Sequence, residues 1–287
     1  MELKDFQQNL LDGPLDAYLD ELVLQKARVD KIVKANKEET DPDLIRAVPD
    51  FCNEAWHKVK ARGLLPKFRE NVPFSPRFDG MGSAVPSACL KIPTGGGKTL
   101  IAAHAVSRIM SKWIRRNSGF VLWIVPNEAI YSQTKKAFIN REHPYRQVLD
   151  RAAAGRVKIL EKNAPLDKRD IDTHLCVMLL MLQSANRETK ESLRMFRDRG
   201  NVYGFFPASD DPLEHDIRLR ETPNLDVYGE KKIMGAIIKE SLGNALRALH
   251  PVVVLDEGHR GYSKLAMDTL YGFNPSFVLE LSATPKD

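Results

Sequence analysis

From residue 88 onward the chain alternates between two hydrophobic periods. Short apolar runs recur at 88–92, 120–125, 157–160, 175–182, 251–255 and 277–281. They are rich in Val, Ile and Leu and have the length of strands buried on both faces of a sheet. Between them, 99–115, 127–139 and 231–249 carry apolar residues at helical spacing. Strand and helix in regular succession predict βαβ units, hence an α/β fold with a mostly parallel sheet flanked by helices.

Upstream the pattern is helical. Residues 3–33 predict a helix broken at Gly13-Pro14, since Pro lacks a backbone donor and Gly adds chain freedom. Asp41-Pro42 reads as an N-cap followed by a first-turn proline. It predicts an amphipathic helix with Ile45, Val48, Phe51, Cys52, Ala55, Trp56 and Val59 on one face, closed by Gly63. Residues 64–86, rich in Pro, Gly and Arg, predict a long connection. A second departure from the core pattern spans 186–230, with a charged helix over 187–199 and loop-like 204–207 and 209–212. The expected organisation is a helical N-terminal segment, 1–86, then one sheet-based lobe, 87–287, carrying an insertion at 186–230 before the 251–255 strand. No repeat or low-complexity tract interrupts it.

Composition narrows the class. At 287 residues and 43% hydrophobic, the chain can bury a full α/β core. Cys52, Cys89 and Cys176 are isolated, which fits a reducing compartment and offers no CxxC metal pair. No apolar run reaches membrane-spanning length, and the opening Met-Glu-Leu-Lys-Asp has no signal-peptide character. A soluble cytoplasmic protein without membrane partners is therefore expected. The net charge of +5 is compatible with a polyanionic partner but does not establish one.

Candidate chemistry gathers where strands end. After the 88–92 strand come Pro93, Thr94, Gly95, Gly96, Gly97, Lys98 and Thr99. Glycines opening a helix let successive N–H groups converge on an anion. Lys98 would add a charge for β/γ-phosphates, and Thr99 a hydroxyl for Mg²⁺. The general phosphate-loop spacing puts a glycine where Ile92 stands. After 251–255 come Asp256 and Glu257, at the sheet edge where open α/β sheets bind ligands. Asp256 would hold Mg²⁺, and Glu257 would orient and deprotonate the water attacking the γ-phosphate. ATP with Mg²⁺ is the expected cofactor.

The 277–281 strand leads into Ser282-Ala283-Thr284-Pro285. Pro-Thr-Gly-Gly-Gly-Lys-Thr, Asp-Glu-Gly-His and Ser-Ala-Thr-Pro, in this order, resemble motifs I, II and III of the superfamily-2 helicases and translocases, whose fold is a RecA-like P-loop NTPase. Residues 121–128, Val-Leu-Trp-Ile-Val-Pro-Asn-Glu, resemble motif Ia. Within that superfamily, 240–259 looks most like the restriction (Res) subunit of type III restriction enzymes, with Gly258 where the family more often has Ala. The resemblance implies an ATP-driven DNA translocase whose intact form has a second RecA-like lobe and a nuclease domain, neither lying within these residues. It also implies a methyltransferase (modification) subunit as partner.

Roles follow by resemblance. His259 would couple the nucleotide site to Ser282 or Thr284. Residues 3–7, Leu-Lys-Asp-Phe-Gln, resemble the Q motif, so Gln7 would hydrogen-bond adenine. Pro126, Asn127 and Gln133, with Gln183 and Ser184, would contact DNA through its backbone, independent of sequence. Trp113 and Trp123 read as packing residues, and Arg108, Lys112, Arg115 and Arg116 as solvated helix surface. Two alternatives stay open: a P-loop phosphotransferase, and a nucleic-acid-binding module that does not turn over ATP. Intact Lys98, Asp256 and Glu257 argue against the second.

Overall fold

The computed structural model of the chain describes residues 3–66, 71–161, 163–181, 201–229, 235–256 and 264–283. Helix α1, Asp5–Leu10, runs through a π-helical turn, Leu11–Leu15, into α2, Asp16–Glu38. The break expected at Gly13-Pro14 is therefore absent. A π turn is wider than an α turn, which gives the proline ring room and tolerates its missing donor. Burial of Leu11, Leu15, Leu19 and Leu22 holds the segment against the body of the protein.

The next helix starts later than expected. Asp41 caps only a 3₁₀ turn, Pro42–Leu44, whereas α3 spans Phe51–Ala61 and is capped by Asp50, whose carboxylate accepts from Cys52 N–H at 2.8 Å. Val48 precedes Pro49, which drives it out of the α region. Ile45 and Val48 accordingly stand more than half exposed, while Phe51, Cys52, Ala55 and Val59 are buried against α2.

Six parallel strands form the central sheet in the order β1-β10-β9-β2-β5-β3. They are β1 (Ser87–Lys91), β2 (Gly119–Val125), β3 (Val157–Glu161), β5 (Leu175–Met181), β9 (Val252–Leu255) and β10 (Phe277–Ser282). Helix α4 (Lys98–Arg108) continues through a second π turn, Ile109–Ile114, before β2; α5 (Glu128–Ile139) and α6 (Pro144–Ala152) precede β3. This order decides function. The chain passes from β1 to β2, leaving two places vacant between them, sets β3 at the far edge with β5 then filling the place beside β2, and returns to fill the first gap with β9 and β10. Sequence-distant strand ends thus become neighbours at one sheet edge.

One face of the sheet packs under the N-terminal helices and α4–α6, and the other packs against a second apolar cluster. The second face carries β4 (Leu166–Asp167), paired in parallel with β6 (Val202–Tyr203), and α7 (Lys168–Thr173). It also carries α8 (Pro212–Glu221), the antiparallel pair β7 (Val227–Tyr228) and β8 (Ile237–Ile238), then α9 (Leu242–Leu249) and α10 (Lys264–Tyr271). Of the helix expected over 231–249, the described residues 235–249 carry only α9. Ser241 accepts from Asn244 N–H as its cap, and Ile237-Ile238 pair as strand instead. The loop-like 209–212 in fact launches α8, capped by Asp211. The charged helix expected over 187–199 lies outside the described residues.

Candidate active site

Backbone geometry shapes the loop after β1. Ile92 prolongs the strand, donating its N–H to Ser282 O at 2.9 Å with its side chain fully buried. That accounts for an isoleucine at the position where the general pattern has glycine. Gly96 N–H then turns back to Pro93 O at 2.9 Å. Gly95 and Gly97 both sit at φ +78°, a left-handed conformation that side chains disfavour. Gly96 is needed for a different reason, since a Cβ there would lie 2.8 Å from both Ile92 Cγ2 and Pro93 O. Gly97 is the N-cap of α4 and provides no side-chain acceptor for the first-turn N–H groups. A glycine cradle against uncapped helical donors suits a phosphate chain.

The N-terminal helix reaches this loop. Gln7 is 4% exposed; its Nε2 donates to Gly96 O at 2.8 Å and its Oε1 accepts from Lys4 N–H at 2.8 Å. A residue expected at adenine is thus first a clamp on the cradle, with one amide N–H beyond the bond to Gly96. A Cβ at Gly97 would meet the same Nε2 at 2.9 Å.

Lys98, Thr99 and Asp256 line a single cleft of about 400 Å³, joined by Gln133 and Thr134 of α5. Asp256 is 4% exposed and extends β9 alongside β2, its N–H donating to Ile124 O at 2.9 Å. An ammonium, a hydroxyl and a carboxylate around one cleft, beside a glycine loop in which a Cβ at Gly96 or Gly97 would strike its neighbours, fit a triphosphate with Mg²⁺. Lys98 and the loop N–H groups would hold phosphates; Thr99 and Asp256 would hold the metal, which neutralises charge on the β- and γ-oxygens. Among the described residues no cluster of three or more His, Cys, Asp or Glu side chains could hold a metal by itself.

Ser282 ends β10 beside the cradle, 2% exposed, its Oγ without a partner among the described residues. Glu257, His259, Thr284, Gln183 and Ser184 lie outside the described residues. Asn127 is the N-cap of α5, its Oδ1 accepting from Ile130 N–H at 3.0 Å, and Pro126 precedes it at the end of β2. Gln133, expected at DNA, lines the cleft with Lys98.

Two charged groups were not legible from pattern. Arg108 bonds Asp12 and lies 3.4 Å from Asp16, and Lys112 reaches Asp20 at 3.0 Å, so both bridge α4 and its π turn to the N-terminal helix. The solvated surface expected for them is corrected at these two positions, because four-residue spacing on both helices aligns acids with bases. Behind β9, Asn244 accepts from Asp226 N–H at 2.9 Å and donates to Asp226 O at 2.8 Å. Arg247, 2% exposed, pairs with Asp226 at 3.0 Å. This network ties residues preceding β7 to the helix that delivers Asp256. Polar residues in α9 carried no sign of it beyond their place on a buried face. Trp123, fully buried and edge-on to Phe138 at 4.9 Å, and Trp113, stacked at 6.0 Å on Phe51, are packing residues as expected.

No curated protein matches the chain. The family model for the type III restriction enzyme, res subunit, matches residues 82–287, from just before β1 through the end of the chain. The chain therefore belongs to the res-subunit family of type III restriction enzymes, as its helicase-like ATP-binding module with a RecA-like fold.

Proposed function

We propose that this chain is the ATP-hydrolysing lobe of a DNA translocase acting in a type III restriction system. The observation that carries the reading is the meeting of Lys98, Thr99 and Asp256 in one cleft beside the glycine cradle. Water would attack the γ-phosphorus while the bond to the β,γ-bridging oxygen breaks; ADP leaves with that electron pair, and the products are orthophosphate and a proton. Glu257, next to Asp256 in sequence, is the base in this proposal, and His259 would relay the state of the site to Ser282 and Thr284. Gln7 would meet adenine with its second N–H while the first holds Gly96. DNA would be gripped along its backbone by Pro126, Asn127 and the segment holding Gln183 and Ser184, with Gln133 serving the cleft as well. A modification subunit would supply sequence recognition.

The resemblance assigns the arginine that meets the γ-phosphate to a second RecA-like lobe, and such a group is worth about 10³–10⁵ in rate. DNA-stimulated turnover is thus expected from the chain joined to such a lobe, and little from the 287 residues alone. In the joined protein, Glu257→Gln should lower turnover by about 10²-fold or more while Mg·ATP still binds. Turnover at the unmodified rate would remove Glu257 from the base role.

A further inference from the structure

The cleft does not end at Asp256. It runs on between α5 and the start of α6, where Lys136, Asn140, His143 and Tyr145 line its far end. Thr134 and Ala137 of α5, both buried, line the cleft between the two ends. Among the described residues Asp256 is the one carboxylate in the lining, and it sits at the other end. Lys136 contributes an ammonium, Asn140 an amide and Tyr145 a phenol. His143 is held as the N-cap of α6, its Nδ1 accepting from Tyr145 N–H at 3.3 Å and its ring edge-on to Tyr145 at 4.4 Å. In neutral imidazole an accepting Nδ1 leaves the hydrogen on Nε2, so the ring offers a donor. The N-terminal end of α6 lies at the same place, as does the C-terminal end of α5, whose last turn carries Lys136 and whose C-cap is Asn140.

We propose that this far end is an orthophosphate site that receives the phosphate cleaved from ATP before it leaves the protein. The inference rests on the ATPase reading. Asp256, as the Mg²⁺ carboxylate, would lie beside the β- and γ-phosphates, so the chamber opens from the part of the cleft where the phosphate is cleaved. A small dianion fits donors of this kind.

The test titrates inorganic phosphate into the 287-residue protein, with and without saturating Mg·ADP, following ³¹P line broadening, and measures Mg·ADP affinity separately. In the presence of Mg·ADP, Lys136→Met and Asn140→Asp should each weaken phosphate binding about tenfold or more beyond any change in Mg·ADP affinity, the size of a lost charge-assisted bond. Phosphate affinity indifferent to both substitutions overturns the site. Phosphate and Mg·ADP affinities falling in step also overturn it, since the chamber would then hold the nucleotide itself. If the protein bound no Mg·ADP, the ATPase reading would fail on its own, and the dependence of phosphate binding on Lys136 would still be read from the nucleotide-free titration.

Discussion

Gln7 is the residue whose surroundings say most about the site. Its amide joins a helix near the chain start to a loop nearly ninety positions away, as marked by the bond to Gly96 O at 2.8 Å. Removing it should have two separable effects. The bond to Gly96 is blind to the base, so Gln7→Ala should lower affinity for ATP and GTP alike. Loss of the proposed adenine contact should also narrow the preference for ATP by about 1–3 kcal/mol. Competition binding with both nucleotides distinguishes them: unchanged GTP affinity contradicts the clamp, and an unchanged ratio contradicts the adenine contact. Glu280 gives a second residue-level prediction. It lies in β10, paired in register with Cys89 of β1, and burial raises its carboxyl above the ordinary value of 4.5, with Arg77 pulling less strongly the other way. A raised carboxyl means that the folded state holds the proton more tightly than the unfolded one. Stability therefore falls as pH rises from about 4.5 through the folded-state value. Glu280→Gln should raise the melting temperature at pH 7, and this gain should shrink toward pH 4. A gain that persisted undiminished at pH 4 would show that the carboxylate's charge is not its source.

At the scale of elements, α9 is where the sequence-distant parts of the lobe are tied together. Arg247 is buried against Asp226, and its backbone carbonyl accepts from Asn274 Nδ2 at 3.3 Å, close to the start of β10. Truncating one partner of a buried pair costs about 3–5 kcal/mol. Asp226 keeps 29% of its side chain exposed, which places Arg247→Met near the lower end, about 3 kcal/mol. Chemical denaturation measures it, and a loss under 1 kcal/mol would mean that the pair contributes little. Strands and their order of chemistry were legible because buried parallel strands are continuous apolar runs, and β2, β5 and β9 announce themselves. Helices α6 and α8 were not. Each begins with a capping residue and a proline, His143-Pro144 and Asp211-Pro212, the same signature that promised a long helix at Asp41-Pro42 and delivered one 3₁₀ turn. A cap starts a helix; only a buried face sustains it. Helix α8 buries His215 rather than an apolar stripe, its ring bonded to Ala208 O and Ile238 N–H, so no periodicity marked it. The pairing of β7 with β8 was equally hidden, since two-residue strands have no period to read.

For the whole molecule, the decisive feature is that β9 and β10 enter the sheet last and between strands laid down first. The site's components could be named from sequence because each follows a strand, but that Lys98 and Asp256 share a cleft depends on strand order, which local pattern does not carry. The account stands on Mg·ATP occupying that cleft. Equilibrium binding of Mg·ATP to the protein and to its Lys98→Ala and Asp256→Asn variants tests this most directly. The expected result is Mg²⁺-dependent binding, weakened about tenfold or more by Lys98→Ala, the size of a lost charge-assisted contact, with Asp256→Asn removing much of its dependence on Mg²⁺. Binding of equal strength in all three proteins would contradict the assignment of this cleft to ATP.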